Sequence, residues 1–258
     1  MTTDPMPAAG QRALLRALLD LIALAAVPGG EPAPAERLAT AGTEALGADA
    51  AVVLIVDDAG SPHLWAGSDD AARALGDVEI AAGDGPALDC CRAGQPLAVP
   101  LHAPAADWPG WTRAATERGW VLAEAVPLRL ADRTVGALVL LMGAGRVRPE
   151  GDQLRAGLLA AATAGAIIQH RALRDLQRRA DQLQLALTTR IVIEQAKGML
   201  AERGGLDVPT AFDRLRRYAR AHRLRLADVA EDVVTGTAAD AVLTHVRPLK
   251  GPPSILDP

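Results

Sequence analysis

The sequence predicts an α+β domain, a long helical segment after it, and a small basic helical domain near the C-terminal end. Apolar, β-branched runs of strand length alternate with turn-forming residues between positions 51 and 142, and helical patterns precede and follow them. From position 152 onwards, apolar residues recur at helical spacing instead. The 258 residues suffice for about two domains, and 50% of them are apolar, so a buried core is possible.

The α+β part begins with predicted helices at residues 11–27 and 35–46, which a Gly- and Pro-rich turn separates. The run AVVLIVD predicts a buried strand because it is continuously apolar, and an ADR turn joins the last two strands as a hairpin. The predicted strands are residues 51–57, 63–68, 97–99, 122–130 and 134–142. The Pro-rich ends are expected to be tails, although residues 238–246 also have a helical pattern.

A heptad pattern occupies the helical segment after the strands. Its apolar positions alternate at spacings of three and four, which is typical of a coiled-coil dimer seam. The seam positions are Leu159, Ala162, Ala166, Gln169, Leu173, Leu176, Ala180, Leu183 and Leu187. The alternative, one long helix packed on its own domain, remains open.

The net charge of −4 hides a strongly basic segment. Residues 171–225 contain 13 Lys and Arg against 6 Asp and Glu, a net charge of +7, so the rest of the chain carries −11. Such a segment on an acidic protein indicates either a polyanion partner or a solvated charged helical surface. The run IVDDAG, residues 55–60, resembles the acidic end of a strand in a receiver domain, which is phosphorylated on an aspartate and needs a lysine. The chain's lysines are Lys197 and Lys250, so no lysine precedes the basic domain and this phosphorylation is not expected.

Three short helices are predicted in the basic domain, at residues 189–203, 208–222 and 227–234. Gly204 and Gly205 end the first helix, Asp207 caps the second, and Pro209 fits the first turn of the second.

Helical geometry predicts which side chains of this domain are buried. On the first helix the apolar face contains Val192, Ala196 and Met199, and the opposite face contains Arg190, Glu194, Lys197 and Ala201. On the second helix Ala211, Leu215, Tyr218 and His222 are expected to be buried, with Arg216, Arg220 and Arg223 opposite them. Gly198 costs its helix about 1 kcal/mol relative to Ala, which suggests either a close approach of RNA or close packing of another helix.

The segments RIVIEQAKGMLAER, residues 190–203, and AFDRLRRYARAHRLRLADVAEDVV, residues 211–234, resemble the ANTAR family of transcription antiterminators. The resemblance implies a domain that binds RNA hairpins, commonly paired stem-loops, and thereby prevents a terminator from forming. It implies that the RNA surface includes Arg190, Gln195, Ala196, Lys197 and Gly198. The face geometry agrees for Arg190 and Lys197 but places Ala196 in the core. The position of the charges on the second helix, rather than the family motif, adds Arg216, Arg220 and Arg223 to the predicted RNA surface.

The segments GDGPALDCCRAGQPLAVP, residues 83–100, Trp108-Pro109 and AVPLRLADRTVGALVLL, residues 125–141, resemble the GAF domain that precedes ANTAR in actinobacterial regulators. The resemblance implies a sensory pocket or a dimerisation platform. Cys90 and Cys91 are candidates for a redox- or metal-sensing thiol pair, against the alternative of small buried apolar residues. The expected domains are a leading segment 1–32, a GAF-like sensor 33–150, a coiled-coil linker 151–187, an ANTAR-like domain 188–236 and a tail 237–258.

These observations predict an RNA-binding antiterminator, controlled by a GAF-like sensor that responds to an unknown small-molecule or protein signal. It is expected to be a homodimer through residues 159–187 and the GAF-like domain, with structured leader RNA as its partner. The alternative is a DNA-binding transcription regulator with a GAF sensor. An enzyme is not expected, nor is a cofactor or metal, because no Gly-rich phosphate loop, metal spacing or paired catalytic base occurs. A cytoplasmic location is expected, since residues 14–27 are too short and too charged to cross a membrane.

Overall fold

A computed structural model describes residues 8–27, 30–102, 107–146 and 151–244. The predictions for residues 1–7 and 245–258 therefore lie outside the described residues. The chain divides between Asp175 and Leu176 into two compact units, here called the sensor unit, after the GAF-like sensor expected from the sequence, and the C-terminal unit.

The sensor unit is built on one antiparallel sheet of five strands in the order β2-β1-β5-β4-β3. The strands are β1 Ala50–Val56, β2 Pro62–Gly67, β3 Leu97–Pro100, β4 Trp120–Leu130 and β5 Arg133–Gly143. Every strand lies within three residues of its predicted position, and β4 and β5 form the predicted hairpin. The predicted α+β class is confirmed.

One face of the sheet is covered by α1 Ala8–Ala26, α2 Pro32–Glu44 and the first part of α6 Asp152–Gly204. Their shared core includes Leu21, Leu38, Leu138, Leu159 and Ile167, all fully buried. The helix α2 begins three residues before its predicted start, because Pro32 is tolerated in the first turn where its missing N–H has no partner to lose.

The other face is covered by three helices, α3 Asp70–Ala82, α4 Pro86–Ala93 and α5 Pro109–Thr116, which the sequence analysis does not predict. Trp108, Trp111 and Trp120 are buried in this second core. α4 and α5 have eight residues each, too few for a periodic apolar pattern to show.

The helix α6 is continuous for 53 residues, so the separate helix predicted to begin at residue 189 is wrong at its N-terminal end. No helix-breaking residue occurs near position 188 to separate the two segments. The first part of the predicted seam is also wrong, because Leu159 and Ala166 are buried in the sensor unit itself. From Leu173 to Leu187 the seam leucines are exposed.

The C-terminal unit consists of the end of α6 with α7 Val208–His222, α8 Leu226–Val234 and α9 Ala239–Thr244. The bounds of α7 match the prediction, and the carboxylate of Asp207 accepts the predicted capping hydrogen bond from the Thr210 N–H at 2.7 Å. The residues of α9 lie in the expected tail, where the sequence also has a helical pattern, and Val242 is fully buried in the core, so a fourth helix belongs to this unit. Within the described segments, no helix combines the length and apolar character needed to span a membrane.

Candidate nucleic-acid interface

The exposed face of α7 carries a row of three arginines. Arg216, Arg220 and Arg223 are all exposed, while Ala211, Leu215 and Ala219 bury the opposite face. Among the described residues, none of the three guanidinium groups makes a hydrogen bond or ion pair. Arginine presents five donors in a planar fork that matches phosphate oxygens, so this face can bind a polyanion without first losing a partner.

Arg223 lies at the C-cap of α7 in the left-handed conformation, with φ of 56°. Its backbone N–H donates to the carbonyls of Ala219 and Arg220, which closes the helix. Glycine is the usual residue at such a cap because it has no Cβ to strain. Arg223 therefore places a charged side chain at a position where the backbone conformation favours glycine.

Two ring side chains at the end of α7 are less buried than predicted. Tyr218 is half-buried and His222 is exposed, so the prediction that His222 lies in the core is wrong. Their rings contact each other, with centroids 4.2 Å apart. The helix extends past the edge of the small core at this point, which leaves its last turn in solvent.

The residues that the resemblance points to on α6 do not share one environment. Arg190, Gln195 and Gly198 are exposed, whereas Ala196 is fully buried, as the face geometry predicts. Lys197 is half-buried rather than free in solvent, and its contact with RNA stays a prediction. Its side chain is only 17% exposed and its ammonium is paired with Glu194.

Gly198 has open space on its outer side. A Cβ placed on this glycine would meet nothing within 4 Å, so none of the described helices packs closely against it. Gly198 lies eleven positions after Leu187, which places both on nearly the same side of α6. The bare backbone is therefore available to a molecule outside the chain.

In the sensor unit, the Gly-Asp-Gly-Pro motif at residues 83–86 serves the packing of two helices. Gly83 is the left-handed C-cap of α3, and Pro86 opens α4. Between them, a Cβ at Gly85 would lie 2.4 Å from the side chain of Glu79, which is 1% exposed. A Glu79 carboxylate oxygen accepts the Leu88 N–H at 2.9 Å, so this buried side chain caps α4. Burial raises the pKa of Glu79 to about 7.

The candidate thiols lie in an environment that keeps them protonated. Cys90 is buried and its thiol donates to the Gln95 carbonyl at 3.3 Å, while Cys91 is half-buried. Burial raises the pKa of each thiol to about 12. Because the thiolate is the form that reacts with oxidants and metals, this environment favours the alternative of small buried residues. In the described part of the chain, no group of three or more His, Cys, Asp or Glu side chains is placed to hold a metal.

A cavity of about 300 Å³ opens between the β1–β2 turn, the end of α4 and the β4–β5 turn. Charged side chains dominate its lining, but Arg133 is paired with Asp58 at 3.1 Å and Arg92 with Asp89 at 2.6 Å. Both arginines of the cavity therefore have partners within the protein, and the lining does not indicate a particular ligand.

An ionic cluster fastens α6 to the sensor unit just before the boundary between the units. Glu31, 5% exposed, accepts hydrogen bonds from Arg171 at 3.1 Å, from Arg174, and from His63 at 2.9 Å. Burial raises the pKa of Glu31, but the arginines outweigh burial and leave that pKa below its ordinary value. Arg171 also donates to the Val56 carbonyl at the end of β1, at 2.7 Å. Sequence patterns do not predict this cluster, because its arginines lie more than 100 positions from their partners.

Two family models match the chain. The model described as GAF domain matches residues 35–169, just over half of the chain, and the model described as ANTAR domain matches residues 181–234. No curated protein matches.

Several solved GAF domains are similar to the chain in structure. One is from a phosphoenolpyruvate-protein phosphotransferase of Coxiella burnetii, at 20% identity and a TM-score of 0.47, covering 64% of this chain and 98% of that one. Another, from the corresponding protein of Acinetobacter, has 12% identity and a TM-score of 0.46, covering 63% and 97%. The phycoerythrobilin-bound GAF domain of a cyanobacterial phytochrome has 15% identity and a TM-score of 0.42, covering 65% and 98%.

Proposed function

The chain belongs to the GAF domain family and carries a C-terminal ANTAR domain, and we propose that its sensor unit controls the binding of leader-RNA hairpins by the C-terminal unit. An ANTAR domain implies an RNA-binding regulator of antitermination, and a GAF domain implies a sensor. Both are regulatory rather than catalytic domains. The signal that the sensor unit receives is a small molecule or a protein.

The observation that carries the proposal is the row of unpaired guanidinium groups on α7, at Arg216, Arg220 and Arg223. Cations that contact phosphates release condensed counterions, so binding should weaken steeply with salt. Sequence in RNA is read mainly at unpaired loops, because side chains cannot enter the deep groove of an A-form helix. A hairpin offers phosphates to this row of arginines and unpaired loop bases for sequence recognition.

Two copies of the chain would present two such surfaces. We propose a homodimer through the exposed part of the seam on α6, where Leu173, Leu176, Leu183 and Leu187 are 48%, 61%, 72% and 54% exposed. Apolar residues at heptad spacing on an isolated helix face favour association with an identical helix. Two hairpins on one transcript would then bind with raised effective concentration.

The first experiment compares the affinity of the full chain for three probes of equal length: an RNA with two stem-loops, an unstructured RNA and a duplex DNA. The double variant Arg216→Ala/Arg220→Ala should bind the stem-loop RNA about 10- to 100-fold more weakly, because two phosphate contacts are lost. The slope of log affinity against log salt should also become shallower by about two. The control is Arg113→Ala, which removes another exposed arginine, from the sensor unit.

The same titration separates RNA binding from the alternative of a DNA-binding regulator. A preference for the stem-loop RNA over the duplex DNA that the double variant loses supports the proposal. Equal affinity for the RNA and the DNA, or an equal loss in Arg113→Ala, would count against it.

A further inference from the structure

The ammonium of Lys197 is held by two neighbours on the surface of the C-terminal unit. Its Nζ lies 2.9 Å and 2.8 Å from the two carboxylate oxygens of Glu194, one turn earlier on α6. It also lies 5.2 Å from the centre of the Phe212 ring, on α7. The Lys197 side chain is 17% exposed, whereas that of Glu194 is 57% exposed.

The two neighbours act differently on the lysine. The ring of Phe212 attracts the cation without neutralising it, and it fixes the side chain against α7. The carboxylate of Glu194 neutralises the charge and uses donors that a phosphate would need. An ion pair with one exposed partner stabilises a protein by about 1 kcal/mol or less, so a phosphate can displace this carboxylate at small cost.

Lys197 thus differs from the arginines of α7, whose guanidinium groups have no ionic partner among the described residues. The arginines can attract any polyanion at once. Lys197 becomes available only to a strand that comes close enough to replace Glu194, and a strand that fails to do so is repelled by the same carboxylate.

We propose that Glu194 competes with the RNA backbone for Lys197 and thereby sets the affinity and salt dependence of RNA binding. The proposal rests on the proposed RNA-binding function. Glu194 is a positioning residue: in the free protein it holds Lys197 beside Phe212, and in the complex a phosphate takes its place. The exchange breaks one ion pair and forms another, with no change in protonation.

The test is the substitution Glu194→Gln in the full chain, with the two-stem-loop RNA as the probe. Affinity should rise about three- to tenfold, and the slope of log affinity against log salt should steepen by about one, because one more cation is free to meet phosphate. Glu202→Gln is the matched control, since it removes the same charge from an exposed glutamate of the same helix. Its effect on affinity should be clearly smaller.

A double-mutant cycle with Lys197→Gln identifies the lysine as the group that Glu194 restrains. Lys197→Gln should weaken RNA binding more in the Glu194→Gln background than in the wild type, because the lysine there loses no carboxylate on binding. Equal gains in Glu194→Gln and Glu202→Gln, weaker binding by Glu194→Gln, or additive effects in the cycle would each overturn the inference while leaving RNA binding intact. If the wild type does not bind the stem-loop RNA at all, both the proposed function and the inference fail.

Discussion

At the residue scale, Arg223 separates stability from function. Its left-handed backbone costs a non-glycine residue about 1 kcal/mol, which Arg223→Gly would recover, less the extra entropy of glycine in the unfolded chain. We expect the thermal stability of Arg223→Gly to equal or slightly exceed that of the wild type. Its affinity for the two-stem-loop RNA should nevertheless fall several-fold, because a phosphate contact is lost.

The control is Arg223→Ala, which removes the same charge but keeps the strained backbone. The two variants should lose equal affinity and differ only in stability, as measured by thermal denaturation and RNA titration. If glycine retains wild-type affinity while alanine loses it, the residue serves the conformation of the chain and its charge is irrelevant to binding.

Glu79 predicts a pH dependence of stability in the sensor unit. Burial raises the pKa of this carboxyl to about 7, from an ordinary value of 4.5. The unfolded chain therefore releases the proton first as pH rises, and the folded protein keeps it until about pH 7. Stability due to protonated Glu79 is fully present below pH 4.5, and the free energy of unfolding falls by about 3 kcal/mol between pH 4.5 and 7.

The variant Glu79→Gln should remove this fall, because the amide oxygen still accepts the Leu88 N–H but cannot ionise. Urea unfolding followed by tryptophan fluorescence measures the effect, since all four tryptophans of the chain lie between positions 65 and 120, in the sensor unit. The exposed Glu117→Gln serves as the control. An unchanged pH slope in Glu79→Gln would show that the carboxyl does not titrate differently in the folded state.

At the element scale, sequence patterns predicted the strands and α7 well. The core strands are continuous apolar runs bounded by turns, and α7 has a capping aspartate, an early proline and a strong amphipathic pattern. Each of these signals acts over a few neighbouring residues, so the sequence alone contains them. The exposed arginines of α7 follow from the same periodicity.

The elements that the sequence did not predict depend on distant partners. The short helices α4 and α5 are stabilised by packing on the sheet, and α4 is capped by Glu79 from another helix. Likewise, only the packing of the sheet shows that Leu159 faces the sensor core while Leu173 faces solvent. The pairing of Lys197 with Glu194 follows from helical spacing, but the ring of Phe212 reaches it from a second helix.

The helix α6 combines two roles along its length. Its first part is core, with Leu159, Ala164 and Ile167 buried, and the ionic cluster around Glu31 fastens it where that part ends. Beyond Arg174 the side chains are exposed for more than three turns, up to Thr188. Under the proposed function, a change in the sensor unit that disturbs the Glu31 cluster would act on this helix.

At the scale of the whole molecule, the exposed leucines of α6 at heptad spacing form the surface through which we propose that the chain dimerises. A second copy of α6 provides an identical face. Gly198 lies on nearly the same side of α6 as Leu187, and a helix or an RNA strand can approach its backbone closely. The exposed leucines of α1, Leu15 and Leu19, are a further apolar face of the sensor unit at helical spacing. Dimerisation would cover apolar surface that a monomer leaves in water.

The variant Leu183→Asp tests this dimer, with Leu185→Asp as its control. The two leucines lie on the same helix and are 72% and 68% exposed, but Leu185 faces away from the seam. A buried charge at a seam position should weaken dimerisation about tenfold or more in analytical ultracentrifugation, and Leu185→Asp should not. The double variant Leu176→Asp/Leu183→Asp should be monomeric at concentrations where the wild type is a dimer.

RNA binding by the same variants tests whether the dimer serves the proposed function. If each copy holds one hairpin, Leu183→Asp should weaken binding of the two-stem-loop RNA and leave a single stem-loop unaffected, since only the paired probe gains from effective concentration. Loss of affinity for the single stem-loop would instead indicate damage to the RNA surface itself. A double variant that stays dimeric would place the main dimer contact elsewhere, and the exposed leucines of α1 would be the next face to substitute.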